Sequence, residues 1–128
     1  MSTGTVPAAK ISPRVVNGEI CWYEGDTFTM HFDVSVMDQD GADVTIGDSD
    51  QLELEIINHR GEDVLTKTWA GSEREDAGYP LVVDAAVSGK FPRGTYLYSI
   101  ILTRENRTTI VDRNRIRVER GELTWTIQ

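Results

Sequence analysis

Residues 27–36, TFTMHFDVSV, alternate without a break between apolar and polar side chains. In an extended chain successive side chains point to opposite faces, so this pattern places every apolar group on one face. A helix would scatter the same residues around its axis. The stretch therefore predicts a strand with one face in a core and the other in water or at an interface.

Alternating runs recur at 52–56, 81–87, 96–102 and 123–127, and further strands are expected at 15–16, 19–23, 64–69, 108–111 and 116–118, with Gly, Asp and Asn turns between them. A short strand is also expected at 44–46, and no window shows a helical period. Many short strands with one apolar face each predict an antiparallel β-sandwich of about eight strands. We expect its core to include Phe28, Phe32, Val34, Leu54, Ile56, Tyr98 and Ile100.

The chain of 128 residues fits one domain. Residues 1–14, which contain Pro7 and Pro13, predict a flexible N-terminal arm, and residues 15–120 the sandwich. We expect residues 121–128 to form a C-terminal strand in which Leu123, Trp125 and Ile127 share one face. This strand either closes the sandwich or contacts a partner.

The net charge of −8 is unfavourable for binding nucleic acid or an anionic membrane. Residues 1–18 lack the apolar segment of a secretory signal, and no run is long enough to span a membrane, so we expect cytosolic synthesis. Cys21 is the only cysteine, and its apolar neighbours indicate a small core residue. Since no disulfide can form, the core must close around aromatic side chains, for which Trp22, Phe28, Phe32 and Trp69 are the candidates.

Three groups of side chains are candidates for a metal-binding or partner-binding site. Asp38, Asp40 and Asp43, followed by Asp48 and Asp50, contain an Asp-x-Asp-Gly fragment of a calcium loop, but the closing glutamate is absent and an ordinary turn is the preferred interpretation. Arg113, Arg115 and Arg117 form a basic stripe, either for docking a partner or for pairing with an acidic strand such as Glu53 and Glu55. A set of aromatics suggests either a sugar platform or core packing: Tyr23, Trp69, Tyr79, Tyr96, Tyr98 and Trp125.

No arrangement of His31, His59 or the carboxylates resembles a catalytic or zinc site, and no phosphate loop or nucleophile elbow is present. We therefore expect neither catalysis nor a cofactor.

The segments EGDTFTMHFDV, DQDGADVTIG, LELEII, FPRGTYLYSIILTREN and TIVDRNRIRVE occur in this order. Together they resemble the immunoglobulin-like N-terminal domains of upper baseplate and related tail proteins of phages and prophages of Gram-positive bacteria. The resemblance covers about residues 24–119. It implies an immunoglobulin-like sandwich, a structural role and no cofactor.

Two functions follow as hypotheses. The first is a structural virion module, made in the host cytoplasm, whose partners are other virion proteins and copies of itself; its contacts are expected at Leu123, Trp125, Ile127 and the arginine stripe. The alternative is a carbohydrate- or cell-surface-binding module that uses the aromatics.

Overall fold

The computed structural model describes residues 13–120, and this part of the chain contains ten strands, one 3-10 turn and one short helix. In chain order the strands are β1 (Arg14–Val16), β2 (Glu19–Tyr23), β3 (Phe28–Phe32), β4 (Val36–Met37), β5 (Asp43–Val44), β6 (Gln51–Asn58), β7 (Asp63–Ala70), β8 (Tyr79–Val83), β9 (Gly94–Arg104) and β10 (Arg107–Glu119). The 3-10 turn is Gly71–Glu73, and helix α1 is Ala85–Ser88. The predicted all-β, sandwich-like fold is confirmed. No helix in the described part is long and apolar enough to cross a membrane.

Six strands form the main sheet, in the order β1-β2-β10-β9-β6-β7. Tight turns connect its hairpins. Asn17 and Gly18 join β1 to β2, and Glu105 and Asn106 join β9 to β10; all four residues have positive φ. Two consecutive positive-φ residues match the twist of an antiparallel hairpin. The turns predicted at these two places are therefore confirmed.

One pair in the main sheet, β2 with β10, is parallel, with Ile116 opposite Ile20 and Val118 opposite Trp22. The prediction of a purely antiparallel arrangement is wrong for this pair. The reason is topological. After β2 the chain crosses to the other layer, and the last strand enters the sheet between β2 and β9 in the same direction as β2.

The second layer consists of two small sheets, β3 with β8 and β4 with β5. The alternating stretch at 27–36 lies here, and its burial alternates as predicted, with Phe32 and Val34 buried and Asp33 and Ser35 exposed. It is not one continuous strand, however. The ladder with β8 ends at Phe32, where the backbone of Gly78 passes so close to Phe32 that a side chain at Gly78 would clash.

The core lies between the layers and is rich in aromatic rings. Trp22 contacts Phe28 and Phe91, with ring centroids 5.1 and 5.3 Å away. Phe32 contacts Tyr98 and Trp69 at 5.2 and 6.0 Å. Six of the seven predicted core residues are buried, namely Phe32, Val34, Leu54, Ile56, Tyr98 and Ile100, while Phe28 is half-buried. The four predicted core aromatics all belong to this cluster or pack against it.

Three boundaries differ from the predictions. The strand expected at 81–87 ends at Val83, because Asp84 caps a helical turn by accepting a hydrogen bond from the Val87 N–H at 2.9 Å. The strand expected at 44–46 is the two-residue β5. Strand β1 begins at Arg14, the last residue of the predicted arm. The remainder of that arm, residues 1–12, and the predicted C-terminal strand, residues 121–128, lie outside the described residues.

Candidate interaction surface

The side of the main sheet that faces away from the second layer is here called the outer face. Successive side chains of a strand point to opposite sides of the sheet, so every second residue lies on the outer face and the residues between them point into the core. On β6 the outward residues are Glu53, Glu55 and Ile57, whereas Leu52, Leu54 and Ile56 are buried. On β9 the outward residues are Thr95, Leu97, Ser99 and Ile101, and on β10 they include Arg113, Arg115 and Arg117.

Strand register arranges these residues in columns. Glu55 on β6 lies opposite Ser99 on β9, and Ser99 lies opposite Arg113 on β10. One row away, Ile57, Leu97 and Arg115 follow each other in the same way. The outer face thus has an acidic column on β6 (Glu53, Glu55), a middle column on β9 (Thr95, Leu97, Ser99, Ile101) and a basic column on β10 (Arg113, Arg115, Arg117).

The arginine stripe does approach a carboxylate on a neighbouring strand, as one of its two interpretations predicts, but that carboxylate is not Glu53 or Glu55. Because β9 lies between β6 and β10, the acidic and basic columns are two strand spacings apart, about 10 Å. The arginines instead approach Glu19 on β2, at 3.6 Å from Arg115 Nη1 and 3.7 Å from Arg117 Nη1. Within the described part of the chain, Arg113, Glu53 and Glu55 form no ion pair.

Aliphatic side chains on the outer face are exposed. Leu97 retains 42% of its accessible surface and Ile110, which lies opposite Ile101, retains 50%. Ile57 and Ile101 are half-buried. Exposed aliphatics beside charges that have no partner in the described part of the chain make this face a candidate for contact with another protein.

Cys21 is fully buried, as predicted, but beneath the outer face rather than in the core between the layers. It lies opposite Arg14 on β1 and Arg117 on β10. The Arg117 guanidinium covers the thiol, with 3.6 Å between Nη2 and Sγ.

The Asp38 loop has the geometry of the predicted turn. One Asp38 carboxylate oxygen accepts the N–H groups of Asp40 and Ala42, at 2.9 and 3.0 Å, and Gly41 has positive φ. Asp40 and Asp43 are exposed. The described residues contain no group of three His, Cys, Asp or Glu side chains placed to hold a metal.

Asp50, which was grouped with that cluster, has a different role that the sequence did not indicate. It is buried and accepts two hydrogen bonds from Arg104, at 3.0 Å from Nε and 2.5 Å from Nη2, and one from the Gly47 N–H at 2.8 Å. The Arg104 hydrogen bonds, aided by the one from Gly47, lower the pKa of Asp50. No local sequence pattern could predict this ion pair, because Asp50 and Arg104 lie 54 positions apart in the chain.

The two histidines are also placed. His31 Nε2 lies 2.7 Å from Glu75 Oε1, beside an Arg74–Asp33 ion pair of the same length. These two contacts fasten the loop that precedes β8 to the outward side of β3 and its continuation. His59 is exposed in the turn between β6 and β7.

The aromatic platform proposed for sugar binding is not found in the described residues. Trp69, Tyr79, Tyr96 and Tyr98 are buried, and Tyr23 is half-buried. The Trp69 indole N–H donates to the Pro80 carbonyl at 2.8 Å, which fixes this ring in the core. Trp125, like Leu123 and Ile127, lies outside the described residues, so these three predicted contacts stay predictions.

Comparisons of the chain with protein-family models, with curated proteins and with solved structures found no match.

Proposed function

We propose that this chain is a structural, non-catalytic assembly module whose partners are other proteins, including copies of itself. The observation that carries this proposal is the outer face, where an acidic and a basic column flank exposed aliphatics without meeting each other. Protein interfaces combine an apolar centre with polar and charged residues at the rim, which is the arrangement of this face.

The setting that we propose is a phage or prophage virion, in a tail, baseplate or related structure. This part of the proposal is supported by the order of the segments from EGDTFTMHFDV to TIVDRNRIRVE and by the all-β fold that accompanies it. A net charge of −8 favours protein partners over nucleic acid or an anionic membrane. Localisation in the particle follows from the same proposal.

The alternative, a carbohydrate-binding module, has less support. Sugar-binding sites rely on exposed aromatic rings, and four of the six candidate aromatics are buried. No observation in the described residues favours it.

The proposal is tested by co-expressing the full chain with the products of neighbouring genes and isolating complexes of defined stoichiometry. We expect at least one stable complex with another virion protein. Binding to glycans on an array, with no capture of any neighbouring gene product, would contradict the assembly role and favour the alternative.

A further inference from the structure

The charges of the outer face are left incomplete by the fold. Arg113 has no acidic partner, and neither Glu53 nor Glu55 has a basic one, among the described residues. The intervening column on β9 carries no charge at all: it consists of Thr95, Leu97, Ser99 and Ile101. The outer face is therefore charged oppositely on its two sides, with an uncharged strip through its middle.

We propose that a second copy of this chain binds the outer face, face to face, about a two-fold axis that runs along β9. This proposal deepens the proposed function and rests on it, since it identifies one partner of the assembly module. Symmetry supplies the argument, because in an isologous interface the same patch must complement itself.

Rotation about an axis along β9 exchanges the two sides of the face. The acidic column on β6 of one copy then lies over the basic column on β10 of the other. Glu55 and Arg113 occupy the same row, so each Glu55 faces the Arg113 of the other copy, and this contact is made twice. Rotation about an axis across the strands would instead place β6 over β6 and β10 over β10, and like charges would meet.

The middle column supports the same axis. Leu97 and Ile101 lie closest to it, so each meets its own equivalent, and apolar side chains tolerate such self-contacts. Ile57 shares the row of Arg115 and would cover the aliphatic part of that side chain. The strands of two stacked sheets prefer to cross at about 30°. This crossing angle results if the β9 strand of each copy is inclined by about 15° to the two-fold axis.

The expected affinity is modest. Rotation about β9 superposes five strands, from β2 to β7, and over eight residues these offer an area of roughly 24 by 26 Å, about 620 Å². Standard stable interfaces bury about 800 Å² on each partner. We therefore expect a dimer with a Kd in the micromolar range, which becomes fully populated when other virion components bring copies together.

The β7 edge of the main sheet is a less suitable surface for a second copy. Lys67 on β7 lies opposite Leu54, which places a charge on the core side of this edge strand. A lysine on the core side of an edge opposes the addition of another strand. The outer face, in contrast, offers a second copy complementary charge.

Charge reversal tests the proposal in the full chain. Glu55→Arg and Arg113→Glu should each weaken dimerisation at least about tenfold, since each turns both symmetric contacts into repulsive ones. Equimolar mixing of the two variants should restore dimers, because both contacts of the mixed dimer are then attractive: one is the wild-type Glu55–Arg113 pair and the other has its charges exchanged. The double variant should dimerise by itself. Sedimentation velocity and native mass spectrometry measure these outcomes.

Asp76→Arg and Lys90→Glu are matched controls, because both positions are exposed and lie off the outer face. They alter the net charge by the same amounts and should leave the dimer unchanged. Circular dichroism melting curves check that every variant is folded.

Leu97→Lys should also weaken the dimer, since two lysines would meet at the axis. Val82→Lys, at an exposed valine of the other layer, is its control.

Three results would overturn the inference. The first is a wild-type chain that stays monomeric at millimolar concentration. The second is a dimer that neither single reversal weakens, or that mixing fails to restore. The third is a dimer that disappears on deletion of residues 121–128 in a chain that remains folded, which would identify the C-terminal segment as the contact. A monomeric chain would also remove copies of itself from the proposed partners, whereas the assembly role itself is decided separately by the capture of other virion proteins.

Discussion

Replacing Phe32 by alanine tests the assignment of the alternating stretch to the core. Phe32 is 4% exposed, and its ring contacts Tyr98 and Trp69 with centroids 5.2 and 6.0 Å away. Burial of a phenylalanine ring and the cavity left by its removal together account for about 3–5 kcal/mol. This total already contains the two aromatic contacts, which are worth about 0.5–1.5 kcal/mol each.

The cavity would collapse only partly, because its walls are held in place. The Trp69 indole donates to the Pro80 carbonyl, and the Tyr98 hydroxyl donates to Asp112 at 3.1 Å. We therefore expect Phe32→Ala to lower the free energy of unfolding by about 4 kcal/mol, near the middle of the usual range. Phe32→Leu, which leaves a smaller cavity, should cost less than half of that.

Urea-induced unfolding measures these changes in stability. It is followed by circular dichroism, because the loss of a ring next to Trp69 would disturb a tryptophan fluorescence signal. Thr29→Ala is the control, because Thr29 is exposed on the opposite side of the same strand and should change stability by less than about 0.5 kcal/mol. A loss below about 1 kcal/mol for Phe32→Ala would refute the reasoning, since it would mean that the ring is not packed in a closed core.

Three further predictions concern the surface and the loops. The hydrogen bonds from Arg104 and Gly47 lower the pKa of Asp50 in the folded state. The stabilisation that they provide is therefore present above the ordinary pKa of 3.8 and is lost as the pH falls through the pKa of the folded state. Asp50→Asn should flatten the pH dependence of the melting temperature below about pH 4, whereas Asp43→Asn should not. Lys67→Val should make the chain aggregate at concentrations where the wild type stays clear in light scattering, because it removes the charge that protects the edge of β7; unchanged scattering would contradict this. Millimolar calcium should leave the melting temperature unchanged, since the Asp38 carboxylate is engaged by the N–H groups of its own turn, and a rise of several degrees that a chelator reverses would show the turn interpretation to be wrong.

Features of the fold that depend on neighbouring residues could be predicted from the sequence. Alternation gave the inward and outward sides of β6 and β9, and the Asn17–Gly18 dipeptide gave a hairpin turn, because both depend on a few adjacent side chains. The end of β3 could not be predicted in this way. It coincides with the start of the partner strand β8 at Tyr79 and with the close approach of Gly78, which lies 46 positions after Phe32 in the chain and approaches it only in the folded protein.

The short helix α1 shows a second kind of limit. The apolar residues of this stretch alternate and therefore fit a strand: Leu81, Val83, Ala85 and Val87. Alternation takes no account of the capping preference of Asp84. That side chain accepts the Val87 N–H and so caps a helical turn, which ends the strand at Val83. A polar residue with a strong capping preference can thus override a short run of alternation.

Strand order determines which charges of the outer face can pair with each other. Both faces were assigned correctly, Glu53 and Glu55 outward on β6 and Arg113 and Arg115 outward on β10, but strand order is a long-range property that alternation does not encode. β9 separates the two columns by about 10 Å, and in the described part of the chain neither Glu53 nor Glu55 forms an ion pair with an arginine of β10. The same strand places Leu97 and Ile101 between them. The strand order that separates the two columns inside one chain therefore also creates a surface whose charges can be neutralised by a second copy in one relative orientation.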